Sequence, residues 1–286
     1  MASIEPSKLD RMHRSFGRDA ELDEVFIVLS VGAGLIATLG LLANSPAVVI
    51  GAMVVAPWIM PLRAAAFAVL FGNIPLLTRA LRTLLVGVCA TTVLSIVLGK
   101  LAGLPQFGSE VAARTVPNLL DLGIALVAGG LAPYAKLRSD AVSSLAGTAI
   151  AVALVPPVCV MGLLLSNGYW EEAFGAGLLF ATNLLGILTG GLVLMACTDS
   201  YFRHELKRSH LGAASFALTG LLLIPLGTSF INLLDQAKQK STRESVEKTI
   251  EQFLTSQTLT FGDKKEVDVE RVDIDWAQNP PVVRVI

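Results

Sequence analysis

Few residues in this sequence have the type and spacing that chemistry needs. His13, His204 and His210 lie in polar flanks or loops, and Cys89, Cys159 and Cys197 lie inside hydrophobic runs without metal-ligand spacing. No His/Cys/carboxylate cluster, nucleotide loop or helix-borne HExxH is present, so neither an enzyme nor a cofactor is expected. What stands out instead are helix breakers and polar groups set inside apolar runs. Residues 44–73, NSPAVVIGAMVVAPWIMPLRAAAFAVLFGN, open on Asn44 and Ser45, contain Pro46, Pro57 and Pro61, and carry Arg63. Residues 150–160, IAVALVPPVCV, carry Pro156 and Pro157, and a later run carries Thr182 and Asn183.

Each proline removes a backbone donor and clashes with the preceding turn, freeing carbonyls at Met53 and near Val152 and Ala153. In a bilayer such carbonyls need partners, so the breaks must face protein or water. A charge inside a span faces a cavity, a partner or the interface. Arg63 therefore either contacts an anion, pairs structurally or snorkels to the membrane edge. Asn183, beside Thr182, either bonds a neighbouring helix or lines a site. Asn44 and Ser45 suit helix capping, and a helix starting within the membrane there would favour a polar or anionic ligand. The expected binding set is Asn44, Ser45, Pro57, Arg63, Pro156, Pro157, Thr182 and Asn183. Asp121 suits the first turn of a helix, with proton coupling as the functional alternative. Gly186 and Gly190 have the spacing of close helix packing.

The elements that hold these residues follow from how charge is partitioned. Between residues 25 and 234 there are 17 of the chain's 45 charged residues; the short flanks hold the rest. A block that apolar needs a bilayer as solvent. Seven hydrophobic segments are expected, at about 25–43, 46–71, 79–101, 117–135, 142–166, 173–197 and 211–234, all helical because lipid tolerates no unpaired backbone. If all seven cross, Lys8, Arg11, Arg14, Arg18, Arg79, Arg82, Lys136, Arg138, Arg203, Lys207 and Arg208 fall on one side, against Lys100 and Arg114 on the other. That asymmetry puts the N-terminus in the cytoplasm and the tail outside, in a multi-pass cell-membrane protein. The net charge of −1 gives no reason to expect nucleic acid as a partner. Lipid, a small solute or ion, and further copies of the chain are the partners expected.

The run at 50–60 aligns without a gap on 150–160, and Ala33–Ala37 (AGLIA) resembles Gly129–Ala132 (GGLA) at nearly the same offset. The spans then pair first with fourth, second with fifth and third with sixth. Three crossings per unit is odd, so the copies must be inverted, an arrangement that many secondary transporters use to build a midplane site. The domains expected are a leader (1–24) that is either solvated or a surface helix, a membrane block (25–234) and a soluble tail (235–286). The block divides into repeats at 25–101 and 117–197 and an extra span at 211–234. In the tail, Ser241 and Glu244 read as a capping box opening a helix, followed by about three short strands. So small an α+β core is marginal alone and would be completed by further chain, by packing or by oligomerisation.

The blocks NSPAVVIGAM (44–53), Ala56-Pro57, Gly130-Leu131-Ala132, IAVALVPP (150–157) and Thr182-Asn183-Leu184 resemble those of the hydrophobic-domain family known as the domain of unknown function 389. The resemblance covers roughly 25–200 and implies a prokaryotic integral membrane protein, without bringing an activity, a substrate or catalytic residues. The expected function is a transporter or channel for a small polar or anionic solute between the proline-broken helices. The alternative is a non-transporting sensor or assembly protein acting through its tail.

Overall fold

A computed structural model describes residues 6–138, 154–256, 272–275 and 282–285, in two compact units, 1–229 and 230–286. The first unit is helical: α1 (Pro6–Asp19), α2 (Glu24–Leu42), α3 (Pro46–Val55), α4 (Ile59–Leu70), α5 (Ile74–Ala102), α6 (Ser109–Ala112), α7 (Leu119–Arg138), α8 (Val155–Ser166), α9 (Trp170–Thr198), α10 (Ser200–Arg208) and the start of α11 (His210–Ser256). Where they are described, the apolar segments seen in the sequence are helical, but they are not seven equal spans. Among the described residues four helices are long and apolar enough to cross a membrane, α2, α5, α9 and His210–Asn232 of α11. The second segment is a bent pair, α3 and α4, turned by 58° at the Ala56–Trp58 break, which makes a fifth if counted as one span. The described helix of the fifth segment, Val155–Ser166, is about 18 Å long and too short to cross by itself. Residues 139–153, including the first four of the aligned run at 150–160, lie outside the described residues. Long apolar helices with exposed Val28, Leu85, Val93, Val127 and Ile224 make this a membrane protein.

The leader is neither free nor lying on lipid by its apolar stripe. Met12, Phe16 and Ala20 are buried, with Phe16 stacked on Phe67 of α4 at 4.4 Å. α1 also ends on Asp19, whose carboxylate accepts from Arg63 Nε at 2.6 Å and Nη2 at 2.9 Å. Thr83 Oγ1 of α5 donates to the Ala20 carbonyl at 2.8 Å.

Two helix pairs carry the interior, both parallel. Along α2 and α5, Phe26 meets Gly87, Gly34 meets Thr91 and Thr38 bonds Ser95 (2.8 Å), so residue numbers rise together. Along α7 and α9, Leu122 and Ala125 meet Gly186, Leu126 meets Gly190 and Leu194 meets Gly130. Small residues let these backbones approach closely, which is what packing between helices in lipid requires. Parallel neighbours joined by an intervening helix require the chain to travel back between them, and α4 and α8 occupy those returns. α8 in turn runs parallel to α5, with Gly162 on Ser95 and Ser166 on Gly99.

The two triplets match in detail. α4 and α8 have 12 residues each, α5 and α9 have 29 each, and both pairs start 96 positions apart (155 less 59; 170 less 74). α2 and α7 end at that same interval. The turns into α5 and α9 each use a left-handed glycine, Gly72 (φ 63°) and Gly168 (φ 79°). Contacts exchange accordingly: α5 packs on α8 and α4 on α9, and α2 packs on α8 and α4 on α7. At this spacing Pro157 answers to Pro61, each the third residue of its helix, and not to Pro57 as the gapless alignment has it.

In the second unit the expected capping box at Ser241 opens nothing. α11 runs unbroken to Ser256, there being no Gly or Pro after Gly227 to stop it. β1 (Val272–Asp275) pairs antiparallel with β2 (Val282–Val285), Val272 opposite Val285. The α+β tail is thus described only as a helix end and a two-stranded ribbon, marginal by itself. The strand-like runs expected near 259–269 lie outside the described residues.

A Cβ at position 190 would collide with the Leu126 carbonyl, whereas Gly220 of α11 faces open space. Gly190→Ala should therefore cost about 1–3 kcal/mol through overpacking. Thermal unfolding in detergent should show a clear drop for Gly190→Ala and none for Gly220→Ala.

Candidate functional site

Two places in the membrane block need explaining, the break at Ala56–Trp58 and a polar cavity beside α8. At the break, the chain leaves helical geometry at Ala56 (ψ 127°) and resumes at Ile59. Trp58 is fully buried, its Nε1 donating to Ser30 Oγ of α2 at 3.1 Å, with Gly87 leaving room for its ring and Phe180 edge-on at 6.3 Å. The break is thus packed shut. Pro57 is buried in it and faces no cavity among those described.

The cavity, about 290 Å³, is lined by Glu110, Ala113, Arg114, Asp121, Ile124, Pro157, Leu179 and Asn183. Three helix features converge here. Asp121 is in the first turn of α7 and Pro157 in the first turn of α8, so two helix N-termini point into one region. Asn183 is the fourteenth of the 29 residues of α9, halfway along that apolar helix, and is only 4% exposed. Asn118 and Asp121 cap α7 reciprocally: Asn118 Oδ1 accepts from Leu120 N at 2.8 Å, and Asp121 Oδ2 accepts from Asn118 N at 2.9 Å. Arg114 donates to the Glu110 carboxylate at 3.0 Å and to the Glu110 carbonyl. Gly175 of α9 makes space for the Thr115 carbonyl, pressing the turn that bears Arg114 against α9. The result is a small chamber holding one guanidinium, two carboxylates and an amide.

The structure brings together two of the expected residues, Pro157 and Asn183. Thr182 is buried next to Asn183 but does not line the chamber, and Pro156 is buried in the start of α8. Arg63 is 8% exposed and held by Asp19 in a two-pronged ion pair, the structural alternative to anion contact. Ser45 occupies the N-cap position of α3 without a side-chain capping bond. Asn44 does not cap α3 either: at φ 50° its Oδ1 accepts from Glu110 N at 2.9 Å, so it caps α6 from a distant part of the chain. Glu110 and Arg114 were not expected. Their signal was available, as an i,i+4 pair in which Arg114 is one of only two cations on its side of the charge count. No group of three or more His, Cys, Asp or Glu side chains that could hold a metal occurs among the described residues.

Long apolar helices, one of them preceded by a bent and interrupted pair, define a helical membrane protein. The family resemblance holds: the model described as Domain of unknown function (DUF389) matches residues 53–189. The chain is also 26% identical over 197 residues to the uncharacterized protein MJ0678 of Methanocaldococcus jannaschii, covering 67% of this chain and 60% of that protein. It therefore spans less than two thirds of that relative's length. No solved structure matches.

Asn44 offers a direct test of how the chamber is held. Asn44→Ala removes the acceptor that fixes α6, worth about 1 kcal/mol or roughly fivefold in local opening. Hydrogen exchange at Glu110–Ala113 should speed up by about that factor, with α9 unaffected.

Proposed function

We propose that this protein passes a small polar or anionic solute across a prokaryotic cell membrane through the chamber at Asn183. The observation that carries this reading is the coincidence of a polar chamber, the N-termini of α7 and α8, and the midpoint of α9. Interrupted helices whose N-termini meet a substrate near the midplane are the working design of secondary transporters. The N-terminus of α8 and the Asn183 amide suit a polar or anionic group, while Glu110 and Asp121 supply partners for a donor. A volume of about 290 Å³ limits the solute to a small one.

The block is read as an inverted repeat of three passes plus three, followed by α11. Supporting this, α5 is parallel to α8, and the three-residue turn at 167–169 makes α8 and α9 antiparallel neighbours. The equivalent helices α5 and α9 therefore run in opposite directions. On this arrangement the N-terminus is cytoplasmic and the chamber belongs to one half. Its counterpart in the other half is filled, since Trp58 answers to Leu154, Phe26 to Leu122 and Gly87 to Asn183 at the spacing of 96.

Purified protein in liposomes, assayed against a panel of small polar and anionic solutes, tests the proposal. Flux should appear for at least one solute, and Asn183→Ala should lower it about tenfold, the loss of one buried polar contact, with the helical content kept. No flux and no ligand-induced thermal shift across the panel overturns it. The tail-dependent sensor would then be the reading left, and deletion of 235–286 would abolish the cellular phenotype.

A further inference from the structure

A second polar concavity lies away from the chamber, at the junction of α1 and α5, and is independent of the transport proposal. Its volume is about 790 Å³ and its walls are Arg11, Arg14, Ser15, Gly17, Arg18, Glu21 and Arg79. Four guanidiniums against one carboxylate give it a strongly positive character. All four arginines are exposed.

The concavity is built and not merely a charged stretch of surface. The opposite face of α1 is fixed by buried Met12, Phe16 and Ala20, by the Asp19–Arg63 ion pair, and by the Thr83 bond to the Ala20 carbonyl. These contacts hold the three arginines of α1 at a set position beside Arg79. Wide planar guanidiniums in such a cluster match phosphate oxygens with paired N–H donors.

Position along α5 identifies the source of the phosphate. α5 is 29 residues and about 43 Å long, against about 30 Å of hydrocarbon, so its end turns reach the headgroup layer. Arg79 is its sixth residue, at the depth where headgroup phosphates lie. Below it the outer face of α5 continues as exposed Leu85 (60%), Val93 (60%) and Val97 (49%), a surface that acyl chains would cover. A basic hollow directly above an exposed apolar strip has the two-part chemistry of a phospholipid.

We propose that Arg11, Arg14, Arg18 and Arg79 form a site for the headgroup of an anionic phospholipid, whose chains lie along α5. The full chain in nanodiscs of mixed phosphatidylcholine and phosphatidylglycerol, released into native mass spectrometry, reads the retained lipid directly. Phosphatidylglycerol should be retained in preference to phosphatidylcholine. The triple variant Arg14→Gln/Arg18→Gln/Arg79→Gln should lose that preference at least about tenfold. Arg79→Gln alone, which leaves α1 untouched, should weaken it in the same direction, and Arg82→Gln, outside the concavity, should not. Equal retention of the two lipids, or a triple variant that keeps the preference, overturns the site. Displacement of phosphatidylglycerol by added inorganic pyrophosphate also overturns it, in favour of a soluble phosphate ligand.

Discussion

Everything in the membrane block depends on one constraint: backbone groups released by a broken helix must find partners before they meet lipid. The break at Ala56–Trp58 meets it by burial. Trp58 reaches across to Ser30, Gly87 opens the space for it, and the helix resumes at Ile59 beneath the ring. Once α4 is turned by 58° there, its almost wholly buried face can pack between α5 and α9 while its far end receives α1. Arg63 is then enclosed, and its charge requires Asp19; the leader is recruited to the core by an electrostatic need created inside it. Replacing either member alone would leave the other charge buried without its partner, which typically costs about 3–5 kcal/mol.

Among the described residues the two helix triplets differ around the middles of α5 and α9. Around the middle of α5, aromatic side chains fill the space: Phe26 and Trp58 crowd onto Gly87. Around the middle of α9 the corresponding positions are Leu122, Leu154 and Asn183, which fill less volume and add an amide. α6 borders the chamber through Glu110, whose backbone N–H donates to Asn44 just after α2, so that a residue distant in sequence supports its rim.

Helix existence, the membrane setting and the break at Pro57 were legible in the sequence, because hydropathy and missing donors act locally. Register was not. Apolar runs align about equally well at several offsets, so Pro157 was matched to Pro57, whereas the helix bounds and the left-handed turns at Gly72 and Gly168 set the spacing four residues shorter. Nor could the sequence say that Asn44 would cap α6 and not α3, or that Arg63 would find Asp19, because both partners lie far away along the chain. Ser241 and Glu244 show the converse failure. A local capping pattern loses when the flanking residues can continue a helix without a breaker.

The central claim is that each half makes three passes, so that α5 and α9 begin on opposite sides of the membrane. Single cysteines at Thr78 and Glu171, near the starts of those helices, test it in a background lacking Cys89, Cys159 and Cys197. An impermeant thiol reagent applied to intact cells should label the cysteine at position 171 and leave that at 78 until the cells are opened. Labelling of both from the same face would contradict the account, because it would make α3–α4 and its counterpart re-entrant loops and the two halves parallel.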